Sequence, residues 1–286
     1  MYTLSLRDAR TISDPVTLAN PIASQMGVMR SSLIGGLVGN LVYNLNRRVE
    51  RVRVFETGRC FLRADKSQSP QDGEAEQIDG YLQPKRIAGL VYGSAVPEQW
   101  GLPQRRTDFF DAKADVEALL APLQAHFARL DHPALHPGRA AAVSVGGKPI
   151  GVVGELHPQW VQKYELGAAP VVFELDLDAV LQQPLPGYRE ASRFPAVVRD
   201  LALVVDAELP AQSLQEGLIA AAPPFVKEVV LFDVYQGKGV EVGKKSLAFR
   251  VVMQDTEKTL SDGEVEAAVL KMIEAATGKF AAKLRS

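Results

Sequence analysis

Between Asp200 and Leu284 the hydrophobic pattern alternates between the two-residue repeat of a strand and the 3.6-residue repeat of a helix. The order reads strand Asp200 to Val205, helix Ala211 to Ala222, strands Val226 to Tyr235 and Ser246 to Met253, helix Asp262 to Thr277, and strand Phe280 to Leu284. That βαββαβ series restricts the segment to a ferredoxin-like split-βαβ topology. Local chemistry agrees. Ser261 and Glu264 form a capping box ahead of the Val265, Val269 and Met272 stripe, and Gly278 is expected to stop that helix.

Upstream, Pro184, Pro186, Gly187 and Pro195 mark a linker within 182–194, which predicts domains at 1–190 and 191–286. In the first, Leu33, Leu37, Leu41 and Leu45 recur at helical spacing within Ser31 to Arg48. Gly35, Gly36 and Gly39 in that helix are read as close-packing positions, because the Lys-Ser/Thr pair of a phosphate loop is missing. Strands are expected at Val49 to Phe55, Arg86 to Tyr92, Ala140 to Val145, Ile150 to Gly154 and Val171 to Leu177. Helices are expected at Phe110 to Phe127 and Pro158 to Tyr164, an exposed loop at Ala64 to Gln77, and a hairpin turn at Gly146-Gly147-Lys148. Tyr2 to Leu6 also alternates like a strand. The fold class is therefore α+β, with a mixed or antiparallel sheet first and the ferredoxin-like domain second.

The 32 basic and 34 acidic residues leave a net charge of -2, so no global cationic field draws nucleic acid and any RNA contact must be local. Cys60 is the only cysteine and excludes an internal disulfide, and no apolar run approaches the ~18 residues of a membrane span. A soluble cytoplasmic chain is expected. His126, Asp131, His132 and His136 are closely spaced, but Pro133 and Pro137 interrupt them and no tetrahedral set is complete, so no metal is assigned. His157 stands at a helix start, where it would cap backbone groups. There is no nucleophile elbow, Cys-His pair or dinucleotide fingerprint.

Two basic or aromatic clusters remain. Arg47, Arg48, Arg51 and Arg53 form the densest basic stretch, either a solvated face or a partner contact. In the second domain Tyr235 ends one strand and Phe249 lies on the next, with Asp233, Lys244, Lys245, Ser246 and Arg250 along the same hairpin. An aromatic on an open sheet, flanked by cations and a carboxylate, suits stacking and edge-reading of an unpaired base; the plainer alternative packs Tyr235 against a loop. Lys245-Ser246-Leu247-Ala248-Phe249-Arg250 does not match the third-strand signature of the general RNA-recognition motif.

Arg193-Phe194-Pro195-Ala196-Val197-Val198-Arg199-Asp200-Leu201, Leu231-Phe232-Asp233-Val234-Tyr235, Gly243-Lys244-Lys245-Ser246-Leu247-Ala248-Phe249 and Thr259-Leu260-Ser261-Asp262 occur in order. Together they resemble the ferredoxin-fold anticodon-binding domain that ends the bacterial phenylalanyl-tRNA synthetase beta subunit. Met29-Arg30-Ser31-Ser32-Leu33, Asn44-Leu45-Asn46-Arg47, Val54-Phe55-Glu56-Thr57-Gly58-Arg59 and Gly151-Val152-Val153-Gly154-Glu155-Leu156-His157-Pro158 resemble the catalytic-like domain of the same family. The resemblance implies a class II synthetase-like first domain without a working active site, since the ATP-binding arginine motif is absent. It also implies docking to an alpha subunit in an alpha-two beta-two assembly, with ATP and magnesium used by alpha and no cofactor held here. It further implies that Tyr235 stacks on the first anticodon base of tRNA(Phe), a guanine, that Asp233 accepts from that base's Watson-Crick edge, and that Ser246 and Arg285 contact the RNA. Phe194, Pro195 and Ala196 would form a wall against the bases. Lys279, Lys283 and Arg285 give the tail a local positive edge. The rival functions are a ferredoxin-like regulatory module with a small-molecule pocket between helix and sheet, and an independent class II enzyme.

Overall fold

The computed structural model describes residues 15–23, 27–63, 77–78, 80–182, 184, 187 and 191–285, so the strand expected at Tyr2 to Leu6 and the loop at 64–76 lie outside the described residues. The chain divides into two compact units, 1–185 and 186–286.

In the first unit α1 (Ile34–Leu45) leads into β1 (Val52–Arg59), and β2 (Leu62–Arg63), β3 (Gln77–Ile78) and β4 (Tyr81–Leu82) make a small separate sheet. Next come β5 (Lys85–Tyr92), α2 (Phe109–Leu120), β6 (Ala125–Arg129), β7 (Leu135–Val145), β8 (Lys148–Leu156), α3 (Pro158–Lys163), β9 (Val171–Asp176) and α4 (Leu177–Leu181). The main sheet runs β1-β5-β9-β8-β7-β6 with every neighbour antiparallel. Strand alternation sends Ala88, Leu90 and Val172 to one face under α1, and Ile87, Val91, Phe173 and Leu175 to the other under α2. Both faces of this sheet are thus covered by helix.

Several sequence expectations are corrected here. The helix expected to reach Phe127 stops at Leu120, because Pro122 forces Ala121 into an extended conformation (φ -55°, ψ 135°), and β6 follows. Asp108 and Asp111 cap its start reciprocally. Close packing does not explain Gly36, where a Cβ would make only ordinary contact with the Glu56 carboxylate at 3.5 Å. The helix α1 has no side-chain N-cap of its own. Instead Glu174 on β9 accepts hydrogen bonds from the Leu33 N–H at 2.8 Å and the Ser32 hydroxyl at 2.6 Å, a carboxylate at a helix N-terminus. The expected Gly146-Gly147 turn is present, with φ of 57° and 81°, the left-handed pair that a two-residue hairpin requires.

The second unit runs β10 (Val197–Asp206), α5 (Ala211–Ala221), β11 (Val226–Tyr235), β12 (Lys244–Met253), α6 (Asp262–Phe280) and β13 (Lys283–Leu284), the expected βαββαβ order. Its antiparallel sheet is ordered β11-β12-β10-β13. The residues Leu201, Leu203, Val205, Leu247, Phe249, Val251 and Met253 point to one face and pack with Leu214, Leu218, Val265 and Met272 of the helices. At a general 25 cal/mol per Å² of buried apolar area, such a core is the main stabilising term. Gly278 does not stop α6. The helix passes through it to Phe280 and ends at Ala281, left-handed at φ 50°. Ser261 and Glu264 form the expected capping box.

Candidate nucleic-acid interface

Core-facing and open-facing residues alternate along β10 and β12, so Val198, Asp200, Ala202 and Val204 share the open face with Ser246, Ala248 and Arg250. Phe249, expected beside Tyr235, belongs to the other set: it is fully buried under the helices and meets no solvent. On β11 the alternation that buries Val229 and packs Leu231 on the core would also turn Asp233 and Tyr235 inward. A β-bulge between Leu231 and Asp233 prevents this. It inserts Phe232 opposite no partner, and Asp233 then pairs with Ala248 and Tyr235 with Ser246, both on the open face. The bulge is what presents Tyr235.

Tyr235 is 36% exposed, and its hydroxyl donates to the Lys238 carbonyl at 3.1 Å. Gly237 lies against the phenol end, where a Cβ would fall 2.8 Å from the hydroxyl oxygen, so no larger residue fits without moving the ring. The Arg285 guanidinium stands 4.9 Å from the ring centroid. Its backbone N–H donates to the Ala202 carbonyl at 2.9 Å, beside the opposite edge of the sheet, so ring and guanidinium reach toward each other over the open face. Ser246 lies in the row between them and is 3% exposed. A base entering between ring and guanidinium needs about 7 to 8 Å, two contacts of ~3.5–4.0 Å each, which the present 4.9 Å does not leave unless Arg285 moves off the ring.

The structure therefore brings Tyr235, Asp233, Ser246 and Arg285 to one end of the open face. It places Phe194, Pro195 and Ala196 at the other, roughly 23 Å away along β10 at about 3.3 Å per residue between Val197 and Val204. That approach segment is tethered: Gln254 donates to the Phe194 carbonyl at 2.7 Å, and the Ser192 hydroxyl to the Asp255 carbonyl at 2.5 Å. Pro195 and Ala196 are exposed and Phe194 is half-buried. Between the two ends lies a cluster of which the sequence singled out only Arg250. The Arg250 guanidinium sits 5.0 Å from the Phe232 centroid and is bound bidentately by Asp200, at 2.9 Å on Nε and on Nη2. This ion pair holds the Asp200 carboxyl below its ordinary range and the guanidinium above it.

Other candidate groups are committed locally. The Nδ1 atoms of His132, His136 and His157 accept from the backbone N–H groups of Ala134, Gly138 and Gln159, and among the described residues no three acidic, His or Cys side chains gather to hold a metal. Of the arginine stretch, Arg47 lies over the Tyr43 ring at 3.3 Å, Arg51 donates to the Ser94 carbonyl at 3.0 Å and Arg53 pairs with Asp115. The space between the helices and the sheet of the second unit, where a regulatory ligand would sit, is filled by Leu214, Leu218, Phe249 and Met272.

Residues 192–285 match the model of the ferredoxin-fold anticodon binding domain, and residues 3–177 match that of the phenylalanyl tRNA synthetase beta chain CLM domain. The chain belongs to the phenylalanyl-tRNA synthetase beta-chain family. It is 55% identical over 279 residues to the phenylalanine–tRNA ligase beta subunit of Aromatoleum aromaticum, covering 98% of this chain and 34% of that protein. It is 53% identical over 271 residues to the corresponding subunit of Dechloromonas aromatica. This family member thus spans about a third of the length of the curated relatives it matches. Among solved structures, a Desulfitobacterium hafniense pyrrolysyl tRNA synthetase aligns over 62% of the chain with a TM-score of 0.40 and 13% identity. Among the described residues no helix is long and apolar enough to cross a membrane.

Proposed function

We propose that the second unit reads the anticodon of tRNA(Phe), and that the observation carrying this is the Tyr235–Arg285–Asp233 cluster exposed on the sheet face of a ferredoxin-fold anticodon-binding domain. Stacking by itself does not choose between bases, since every base has a π-face, but it holds the base edge against Asp233, so selectivity needs both residues. The edge itself is read by Asp233, an acceptor-only carboxylate that suits the donor edge of guanine and leaves adenine poorly matched. Arg285, once displaced from the ring, becomes available to a phosphate.

The first unit is a docking module for the alpha subunit in an alpha-two beta-two ligase of the cytoplasm. It exposes Tyr43, Phe55, Trp100 and Phe110, apolar area of the kind that a partner subunit covers. Its residues do not fit a nucleotide and magnesium site, because helices pack on both faces of its sheet and Phe173 closes over Gly89. ATP-dependent chemistry is assigned to the partner, and correct tRNA placement is this chain's contribution. Substituting inosine for the first anticodon guanine deletes the 2-amino donor. Inosine should weaken binding of an anticodon stem-loop to the parental chain, and Asp233→Ala, which removes the acceptor, should abolish that difference; an undiminished inosine penalty in Asp233→Ala removes Asp233 from the readout.

A further inference from the structure

We propose that Phe232 and Arg250 form a second base-binding position on the open face, occupied by a base adjacent in the loop to the one on Tyr235; this rests on the anticodon reading above. The geometry repeats. At Tyr235 an arginine stands 4.9 Å from an aromatic centroid, and at Phe232 another stands 5.0 Å away. Phe232 owes its place to the bulge, which leaves it unpaired and 50% exposed beside the open row that includes Val230 and Arg250. Arg250 is held on Nε and Nη2 by Asp200, so its guanidinium plane is fixed while Nη1 lies outside that bidentate bridge. Because Asp200 holds the guanidinium over the ring, a base does not enter between them as at Tyr235 but stacks on the outer, solvent side of the pair.

Position argues the same way. The floor between the two aromatic positions is made by the small side chains Ala202 and Ala248, with Asp233 at its rim. Phe232 and Arg250 also lie between Tyr235 and the Phe194–Ala196 segment, so a single strand running from one end of the face to the other must pass over them. Because Asp200 already offsets the Arg250 charge, this position should add stacking and little phosphate attraction, which separates it from Arg285.

The test uses the full chain and anticodon stem-loops that keep the first anticodon guanine and carry 2-aminopurine at each of its two neighbours in turn. The parental chain should quench the probe at one neighbour. Phe232→Ala should relieve that quenching and weaken binding about 5- to 150-fold, the range for losing one stacked base. The slope of log affinity against log salt should stay unchanged, and Phe232→Tyr should restore both quenching and affinity. Half-exposed Phe232 should leave the thermal unfolding midpoint within a few degrees of the parent. If Phe232→Ala binds like the parent with both probes unaltered, while Tyr235→Ala still loses its preference for guanine, the second position is refuted and the first stands. If Tyr235→Ala also leaves the guanine preference intact, the anticodon reading fails and the second position falls with it.

Discussion

Phe232 and Phe249 are chemically identical residues on adjacent strands, and the structure assigns them opposite work. Phe249 is fully buried among Leu201, Leu214, Leu218 and Met272 in the second unit, so Phe249→Ala removes a ring that its close-packed neighbours cannot refill. Burial of this kind puts the loss at about 3–5 kcal/mol, transfer and cavity terms together. A domain of this size is stable by roughly 5–15 kcal/mol, so the substitution consumes much of the total. The assay is urea unfolding of the full chain followed by far-UV circular dichroism, with tryptophan fluorescence as an internal reference, since Trp100 and the buried Trp160 both lie in the first unit. The dichroism transition assigned to the second unit should move to lower urea by about 2–3 M for a slope near 1.5 kcal/mol per M. The fluorescence transition should stay in place. A loss under about 1 kcal/mol would show that Phe249 is at the surface and would overturn the core-face and open-face assignment on which the interface depends.

Ser261→Ala removes the α6 capping box and should cost about 0.5–2 kcal/mol of second-unit stability in the same titration. Glu264 is held down at about 2, first by Lys258 and then by Ser261, against an ordinary value of 4.5; its stabilising contribution is complete above pH 4.5 and is lost as pH falls through about 2. Glu264→Gln should flatten stability over that interval, and a stability curve unaltered by the substitution contradicts the assignment. Burial, reinforced by Glu174, pushes the Cys60 thiol up to about 12, so a thiol reagent at pH 8 should leave the native chain unmodified and label one thiol in denaturant. Glu174→Ala should destabilise the first unit by about 1–3 kcal/mol by freeing the Leu33 and Ser32 donors, with the second-unit transition unmoved.

The second unit was legible because its signals are local. Strand and helix periods and the Ser261–Glu264 box all act within a few residues. The side chains brought to Tyr235 were partly legible through the family motifs, but the reason they meet was not. Alternation alone turns Tyr235 toward the core, and only the inserted Phe232 reverses it, with Leu231, Phe232 and Asp233 set against Phe249 and Ala248 in a register that no single strand records. The same blindness placed Phe249 beside the interface. Phe232–Arg250–Asp200 went unnoticed because its members come from three strands. In the first unit the passed-over Pro122 cost the end of α2 and hid β6, whereas the Glu174 cap of α1 joins residues too far apart in sequence for a capping pattern to show.

The central claim, that the open sheet face reads a base on Tyr235, is tested most directly by one cross-titration. Parental and Tyr235→Ala chains are each titrated with a tRNA(Phe) anticodon stem-loop and with its first-guanine-to-adenine copy, at low and at near-physiological salt. The predicted result is a guanine preference in the parent at both salts, and in Tyr235→Ala a loss of about 1–3 kcal/mol on the guanine loop that leaves the two loops nearly equal. Equal binding of both loops by the parent, or a guanine preference that survives Tyr235→Ala, would contradict it.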